Sequence, residues 1–385
     1  MSTLPSIESL QNALSELRER ILANVVMAGE IPSPTGEETA LARYVEDRFR
    51  EANLDRIGGD EVGNIAGILP GEKGDRQILV AAHLDKIWPV NDEHTVAVGV
   101  RKMTGRGLAD NSLGVAILAS LPMILEATGI KLNADLVLVG TSQSFGRGDL
   151  RGMRFFLAHC PEKPEAAVCL EGIQLGRLSY QSLGMSRVEV IFSRKHQGEL
   201  QGAATLGVTP FLAALIRQIE AIADRERDHL TLLLGSVEAG ASYSEPPRTG
   251  SLRFEVRGVD RDRIAAVEAE LVSYIRSLEQ SREVSATIES IATREVGSLE
   301  EKHPLVVASK KAMQALGIET RLEPSISELS ALLDAGVPAV TLGLGRGENR
   351  HTPEESIFLE EITDGIVQLL LVLQEADLET KGVER

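Results

Sequence analysis

The feature that most constrains the fold is the recurrence of short apolar runs separated by segments of helical length. The runs QILVAAH, ADLVLVGTS and PAVTLGLG are apolar almost throughout, which is typical of strands buried on both faces. Segments with helical periodicity lie between them. Strands that alternate with helices in this way predict an α/β fold with a mostly parallel sheet covered by helices on both faces.

The pattern changes after Gly184. The segments MSRVEVIFSRK and TGSLRFEVRG alternate apolar and polar residues, as expected for strands with one face in water, and two amphipathic helices accompany them. The buried pattern returns near Gly297. We therefore predict a discontinuous catalytic-type domain, residues 1–185 and 297–385, with an inserted α+β domain at 186–296.

Composition excludes several classes of function. The chain has 385 residues, of which 43% are hydrophobic, so it can bury the cores of two domains. A net charge of −17 argues against a nucleic-acid or membrane partner. No apolar run is expected to span a bilayer, and the N-terminus does not resemble a secretory signal. Cys160 and Cys169 are interpreted as unpaired thiols, which favours a cytoplasmic location.

Residues that can ligate a metal recur where strands are predicted to end. His83 and Asp85 follow QILVAA, Asp110 lies in the glycine-rich loop TGRGLADNSLG, Glu171 follows CL, and His351 lies in GLGRGENRHTPEE. Because the carboxyl ends of parallel strands meet at one sheet edge, these nitrogen and oxygen donors form a candidate site for zinc, cobalt or manganese. The alternatives are a helix cap for Asp110 and an ordinary loop histidine for His351.

Four segments together carry a resemblance to a known family. GRGLADNSLGVA, GDLRGMRFF, LEG and GLGRGENRHTPEE resemble motifs of the zinc-dependent family that includes acetylornithine deacetylase, succinyl-diaminopimelate desuccinylase, aminoacylase and glutamate carboxypeptidase. The likeness covers nearly the whole chain. It implies a two-metal catalytic domain and an inserted lid domain that often dimerises.

The resemblance also implies roles for individual residues. His83, Asp110 and Glu171 would hold one metal. Asp110 would bridge to a second metal, of which His351 would be another ligand. Asp85 would orient His83, since a carboxylate bonded to the other ring nitrogen of a ligand fixes its tautomer.

The chain departs from the family at the catalytic centre. The family has two adjacent glutamates, of which the first is the general base and the second ligates the second metal. Ser144 and Phe145 stand at these positions, and TSQSFGRG contains no acid. Loss of a positioned general base costs about 100- to 10,000-fold in rate.

Other family positions are altered as well. The lid histidine has no clear match, with His196 and Gln201 as equal candidates, and a motif of the S-T-D-A-N type reads ISELS, ending at Ser330. Arg257 matches an arginine of the lid domain, either as a substrate-binding residue or as an ordinary surface arginine.

The sequence thus favours a divergent member without classical hydrolytic activity, acting as a binding, regulatory or repurposed protein. The alternative is an active hydrolase of peptide or N-acyl amino acid amide bonds with a single metal. We expect at most one tightly bound ion, zinc or else cobalt or manganese, or none. The expected partner is a small peptide, an acylated amino acid or another protein, and a homodimer is expected from the resemblance.

Overall fold

The structure is a computed structural model that describes residues 5–195, 206–280 and 284–379. The chain divides into two compact units. Unit 1 comprises Met1–Gln181 and Ser298–Arg385, and unit 2 comprises Ser182–Gly297. The predicted insertion at 186–296 falls within unit 2.

The described residues form the following elements. The helices are α1 (Ile7–Glu30), α2 (Thr39–Glu51), α3 (Leu113–Thr128), α4 (Arg151–His159), α5 (Thr209–Glu226), α6 (Arg261–Glu279), α7 (Pro304–Ala315), α8 (Glu328–Asp334) and α9 (Ile362–Glu379). The strands are β1 (Asp55–Gly59), β2 (Ile65–Leu69), β3 (Gln77–His83), β4 (Ala97–Val98), β5 (Lys102–Thr104), β6 (Asp135–Thr141), β7 (Ala166–Ile173), β8 (Arg177–Ser179), β9 (Gln181–Ser182), β10 (Gly184–Arg194), β11 (Leu230–Ala239), β12 (Thr249–Gly258), β13 (Val284–Arg294), β14 (Gly297–Ser298), β15 (Arg321–Leu322), β16 (Ala339–Gly345), β17 (Gly347–Glu348) and β18 (Ser356–Phe358).

A mixed sheet forms the centre of unit 1. Its strand order is β1-β2-β6-β3-β7-β16-β8-β15. The four central strands, β6, β3, β7 and β16, are parallel to one another, whereas β1, β2 and β8 join through antiparallel pairs. The predicted α/β class with a mostly parallel sheet is confirmed.

Both faces of this sheet are buried because side chains alternate along each strand. In β3, Ile78 and Val80 point into the core formed with α1, α2, α3, α7 and α9. Leu79 and Ala81 point into a second core, formed with α4 and α8. The second face matters for function, because the odd-numbered residues at the carboxyl ends of the strands lie on it.

Helix α3 is buried along most of its length. Together with the irregular turn Leu108–Ser112 before it, it is long and apolar enough to cross a membrane, contrary to the expectation from the sequence. However, 94% of its apolar window is buried inside the fold. It ends at Gly129, whose φ of 67° is a left-handed conformation that favours glycine. The segment is therefore a core helix.

Unit 2 is an α+β unit. Its antiparallel sheet has the order β11-β12-β10-β13, and α5 and α6 pack on one face of it. The core includes Val190, Leu252 and Phe254 from the strands and Leu215 and Leu271 from the helices. The lid and dimerisation roles that the resemblance implies for this unit stay predictions.

A buried carboxylate fixes the last helix of unit 1 to the start of β6. Asp377 in α9 accepts hydrogen bonds from the backbone N–H groups of Asn133 and Ala134, each at 2.9 Å. Its Oδ1 also pairs with Arg76 Nη2 at 2.8 Å. Since Asp377 is 3% exposed, truncating its side chain removes the carboxylate that pairs with the Arg76 guanidinium and leaves the two buried backbone donors without this acceptor.

We predict that Asp377→Ala lowers the free energy of unfolding by about 3 kcal/mol, because truncating one partner of a buried ion pair strands the other charge. Urea denaturation followed by circular dichroism measures the change. Asp47→Ala, an exposed position in α2, is the control and should shift the free energy by less than about 0.5 kcal/mol. Equal effects of the two substitutions would contradict the structural role of Asp377.

Candidate metal centre

Two of the predicted ligands lie on one face of the parallel sheet. His83 is the last residue of β3, and Glu171 lies near the end of β7. The strands pair in parallel with Ala81 opposite Cys169, so His83 and Glu171 each lie two residues beyond a paired position. Alternation places both side chains on the α4/α8 face. The register of the sheet therefore brings an imidazole and a carboxylate together.

The third ligand comes from the turn before α3. Asp110 joins His83 and Glu171 in a buried cluster whose possible ligand atoms all lie within 4.8 Å of one another. His83 Nε2 lies 3.0 Å from Asp110 Oδ1. The turn is held against β7 by Asn111, whose Nδ2 donates to the Leu170 carbonyl at 2.9 Å and whose Oδ1 accepts from Gly172 N–H at 2.9 Å. The amide thus fixes Asp110 beside Glu171.

Burial and mutual charge shift the pKa values of all three residues. Burial alone would lower the pKa of His83, but the neighbouring carboxylates of Asp110 and Asp85 outweigh it and raise that pKa well above its ordinary value. Burial would raise the pKa of Asp110, but the neighbouring imidazoles of His351 and His83 hold it low. Burial, followed by the charge of Asp110, raises the pKa of Glu171. The cluster therefore concentrates negative charge in the interior.

These residues fit a divalent metal ion. One imidazole nitrogen and two carboxylates form a donor set typical of zinc and related ions. Asp110 Oδ1 makes no well-formed hydrogen bond within residues 5–195, 206–280 and 284–379, although His83 Nε2 lies 3.0 Å away, so the oxygen and the ring nitrogen are both placed to receive a cation. A dication would also offset the repulsion between Asp110 and Glu171, which share a buried site.

His351 lies on the other side of Asp110. Its Nε2 atom is 2.7 Å from Asp110 Oδ2, and Arg350 Nε is 3.6 Å from the same oxygen. His351 is outside the three-residue cluster, and 39% of its side chain is exposed. Asp110 thus turns one oxygen toward His83 and the other toward His351, the arrangement that the resemblance implies for a bridging carboxylate.

Glu355 organises both sides of Asp110, and the sequence analysis missed it. Its Oε1 accepts from the backbone N–H groups of Ala109 at 2.6 Å and Asp110 at 3.1 Å. Its Oε2 accepts from the N–H of His351 at 2.9 Å. The side chain is fully buried, and burial raises its pKa. The signal was present as the last acid of GLGRGENRHTPEE, immediately before a strand.

Asp85 contacts His83 mainly through its backbone. His83 Nδ1 lies 3.0 Å from the Asp85 carbonyl oxygen, whereas Asp85 Oδ1 is 3.5 Å away. The other carboxylate oxygen accepts from Thr35 Oγ1 and from Phe145 N–H, each at 2.8 Å. The carbonyl rather than the carboxylate therefore makes the hydrogen bond to the ring, and the carboxylate holds the loop after β6.

The loop after β6 carries the residues that replace the glutamate pair. The ring of Phe145 meets the His83 ring edge-on, with centroids 4.9 Å apart. Ser144 is buried, and its Oγ donates to Glu328 Oε1. Thr141 Oγ1 donates to the same oxygen at 3.3 Å. Glu328, in the ISELS segment, is a buried acid beside Ser144 that sequence reasoning did not assign to the site.

The remaining predicted site residues belong to unit 2. Arg257 in β12 donates from Nε to Glu255 at 2.7 Å, and Arg187 donates to the same carboxylate at 2.6 Å. Burial would raise the pKa of Glu255, but the two arginines lower it. The substrate-binding role of Arg257 stays a prediction. His196 and Gln201 lie outside the described residues.

Comparison with known proteins gives consistent matches. Residues 79–375 match the model of "Peptidase family M20/M25/M40". Peptidase T of Aeromonas hydrophila is 25% identical, over 88% of this chain and 91% of that protein. Succinyl-diaminopimelate desuccinylase of Corynebacterium glutamicum is 23% identical, over 87% and 91%. The crystal structure of human carnosine dipeptidase 1 has a TM-score of 0.78 at 13% identity and covers 97% of this chain and 100% of that chain. The matches confirm the resemblance that the motifs indicate.

We predict that Glu355→Gln weakens zinc binding by about 10- to 100-fold, because the carboxylate orients the backbone of Asp110, one of the three predicted ligands. Competition with a chromophoric chelator measures the affinity. Glu354→Gln is a matched control, since Glu354 is the exposed neighbour, and its affinity should equal that of the wild type. Unchanged zinc affinity in Glu355→Gln would contradict the role assigned to Glu355.

Proposed function

Since the chain belongs to peptidase family M20/M25/M40, we propose that it is a hydrolase of peptide or N-acyl amino acid amide bonds that uses one divalent ion. The observation that carries the proposal is the buried cluster of His83, Asp110 and Glu171. Relatives named peptidase T and succinyl-diaminopimelate desuccinylase support both substrate classes. The partner is then a small peptide or an acylated amino acid.

Residues of this chain would bind the ion, and others orient the side chains that bind it. His83, Asp110 and Glu171 would hold the ion, preferably zinc, with cobalt and manganese as alternatives. A bound dication supplies a Lewis acid that polarises a carbonyl and makes water more acidic. The His83 ring is oriented by the Asp85 carbonyl, and Asn111 and Glu355 fix the turn that carries Asp110. The described site is thus built on backbone that is anchored at several points.

Two features of the second side of Asp110 favour a single ion. Phe145 stands where the family has the second ligand of that side, and an aromatic ring cannot ligate a metal. The guanidinium of Arg350 lies 3.6 Å from Asp110 Oδ2, so a cation already faces that oxygen. Asp110 and His351 alone are too few for a tight site.

A second candidate function is a binding or regulatory protein without hydrolytic activity. The observation in its favour is the pair Ser144 and Phe145, because Ser144 cannot act as the family's general base and the Phe145 ring packs against His83. The two candidates differ in whether another side chain takes the proton from the attacking water.

The cytoplasmic location stays a prediction, with Cys160 and Cys169 both free.

We predict that the purified protein binds about one zinc ion per chain and that His83→Ala lowers this content at least tenfold, because a first ligand is lost. His351→Ala should keep the ion. His229→Ala, an exposed histidine of unit 2, controls for the loss of a histidine. Mass spectrometry of the metal after dialysis gives the stoichiometry, and two ions per chain would contradict the single-ion proposal.

Activity distinguishes the two candidate functions. We expect the zinc-loaded protein to hydrolyse at least one member of a panel of dipeptides and N-acyl amino acids, and the activity to be absent from His83→Ala. Ninhydrin detection of released amines measures turnover. If the zinc-loaded protein hydrolyses no member of the panel, the result instead favours a binding or regulatory protein.

We also propose that the protein forms a homodimer through unit 2. Strand β11 lies at one edge of its sheet, and Leu233, Leu234 and Val237 of this strand are 40%, 43% and 46% exposed. An exposed apolar edge strand is a template for pairing with another chain. A second copy offers the same edge, so the contact can close with twofold symmetry.

We predict that Leu233→Glu with Leu234→Glu converts the dimer to a monomer, because charge on an apolar edge opposes pairing. Light scattering coupled to size-exclusion chromatography measures the mass. Thr231→Glu, at the exposed start of the same strand, is the control for added charge. A wild-type monomer at all concentrations would contradict the proposal.

A further inference from the structure

Glu328 is a buried carboxylate that the proposed function leaves without a role. It is 3% exposed, and its Oε1 accepts from Ser144 Oγ and Thr141 Oγ1. Within the ranges 5–195, 206–280 and 284–379, it forms no ion pair with an arginine or lysine. A buried carboxylate is costly unless it is hydrogen-bonded or paired, so the two hydroxyl donors are what stabilise it in this position.

Glu328 lies beside the metal centre. Thr141, its hydrogen-bond donor, is the partner of His83 in the parallel pairing of β3 with β6, and neighbouring strands lie about 4.8 Å apart. Both side chains are on the α4/α8 face, and Glu328 is the first residue of α8. Burial and Asp110 have larger effects on the pKa of His83 and of Glu171, and the charge of Glu328 acts on both in the raising direction.

The position of Glu328 suits a proton acceptor better than a ligand. Among the described residues, the cluster of ligand atoms within 4.8 Å contains His83, Asp110 and Glu171 but not Glu328. A carboxylate just outside the ligands can reach a water molecule that lies against them. The hydrogen bond from Ser144, which stands at the position of the family's general base, brings Glu328 next to the place that the base would occupy.

We propose that Glu328 is the proton acceptor of the hydrolytic reaction, supplied by a different segment of the chain than in the family pattern. This inference rests on the proposed function. Ser144 and Thr141 are positioning residues, since each donates a hydrogen bond to the carboxylate and holds it against the loop after β6.

The reaction balances with these groups. Glu328 takes a proton from water as the water oxygen bonds to the amide carbon and the π electron pair of the carbonyl moves to its oxygen, from which it re-forms the carbonyl in the next step. The carbon–nitrogen bond then breaks, the electron pair goes to nitrogen, and Glu328 returns the proton to the leaving amine. The products are a carboxylic acid and an amine, and Glu328 ends as the carboxylate. No oxidant or additional reactant is needed.

A purely structural role for Glu328 makes different predictions. In that case the carboxylate only ties α8 to the loop after β6, and a glutamine would serve almost as well, because its carbonyl oxygen can accept the same two hydrogen bonds. Glu328→Gln therefore separates the two roles, since it preserves size and acceptor but removes the basic oxygen.

The experiment compares zinc-loaded wild type, Glu328→Gln, Ser144→Ala and the exposed control Glu360→Gln. For Glu328→Gln, we expect kcat to fall about 100- to 10,000-fold with KM and zinc content little changed, and with the acid limb of the pH–rate profile lost. Ser144→Ala should have a smaller effect on kcat. A fall of less than about fivefold in Glu328→Gln with wild-type zinc content would overturn the inference.

A second measurement does not depend on turnover. Acetohydroxamic acid binds a metal site as its anion, so a nearby base that takes the released proton strengthens its binding at neutral pH. Calorimetry should give at least tenfold weaker binding to zinc-loaded Glu328→Gln than to wild type or Glu360→Gln. Equal binding would overturn the role of Glu328. If wild type binds acetohydroxamic acid at least tenfold more tightly than Glu328→Gln but hydrolyses no panel member, the proposed hydrolase function is refuted. The role of Glu328 as a proton acceptor would then still stand.

Discussion

The alternation of side chains along neighbouring parallel strands is the constraint on which the site depends. In β3, β6 and β7, odd-numbered residues face α4 and α8, so the strand ends present His83, Thr141 and Glu171 on one face. A shift of one residue in any of these strands would turn its side chain to the opposite core. The apolar residues that fix the register therefore also fix the relative positions of the predicted ligands His83 and Glu171.

Buried acids dominate the electrostatics of the centre. Asp110, Glu171, Glu328 and Glu355 are all buried in unit 1, and burial raises the pKa of Glu171 and of Glu355. Backbone N–H groups satisfy Glu355, and hydroxyl groups satisfy Glu328. The negative charges of Asp110 and Glu171 repel each other unless a cation lies beside them. The arrangement is therefore typical of a metal centre rather than of a structural hydrogen-bond network.

The central sheet could be predicted from the sequence because apolar runs mark its strands. His83 and Glu171 stand at the ends of such runs, and the family resemblance adds Asp110 from a glycine-rich loop to complete the three-residue cluster. Glu328 and Glu355 could not be assigned in the same way. Their partners, Ser144 and Ala109, lie 184 and 246 residues away, and such contacts depend on how α8 and the last strands pack. Asp85 was placed correctly beside His83, but the backbone carbonyl, which has no sequence signature, makes the hydrogen bond. The short strand β8 pairs antiparallel with β16 and lacks the long apolar run that identified the central strands.

The contacts of Glu355 make the arrangement of the predicted ligands depend on a distant part of the sequence. His83, Asp110 and Glu171 precede Glu355, and the backbone of Asp110 is anchored by this residue, which follows it by 245 positions. A chain cut before Glu355 would therefore retain all three donor side chains and lose the acceptor that orders the turn. Possession of the donor set is thus not sufficient for a formed site, which depends on packing completed by the last strands.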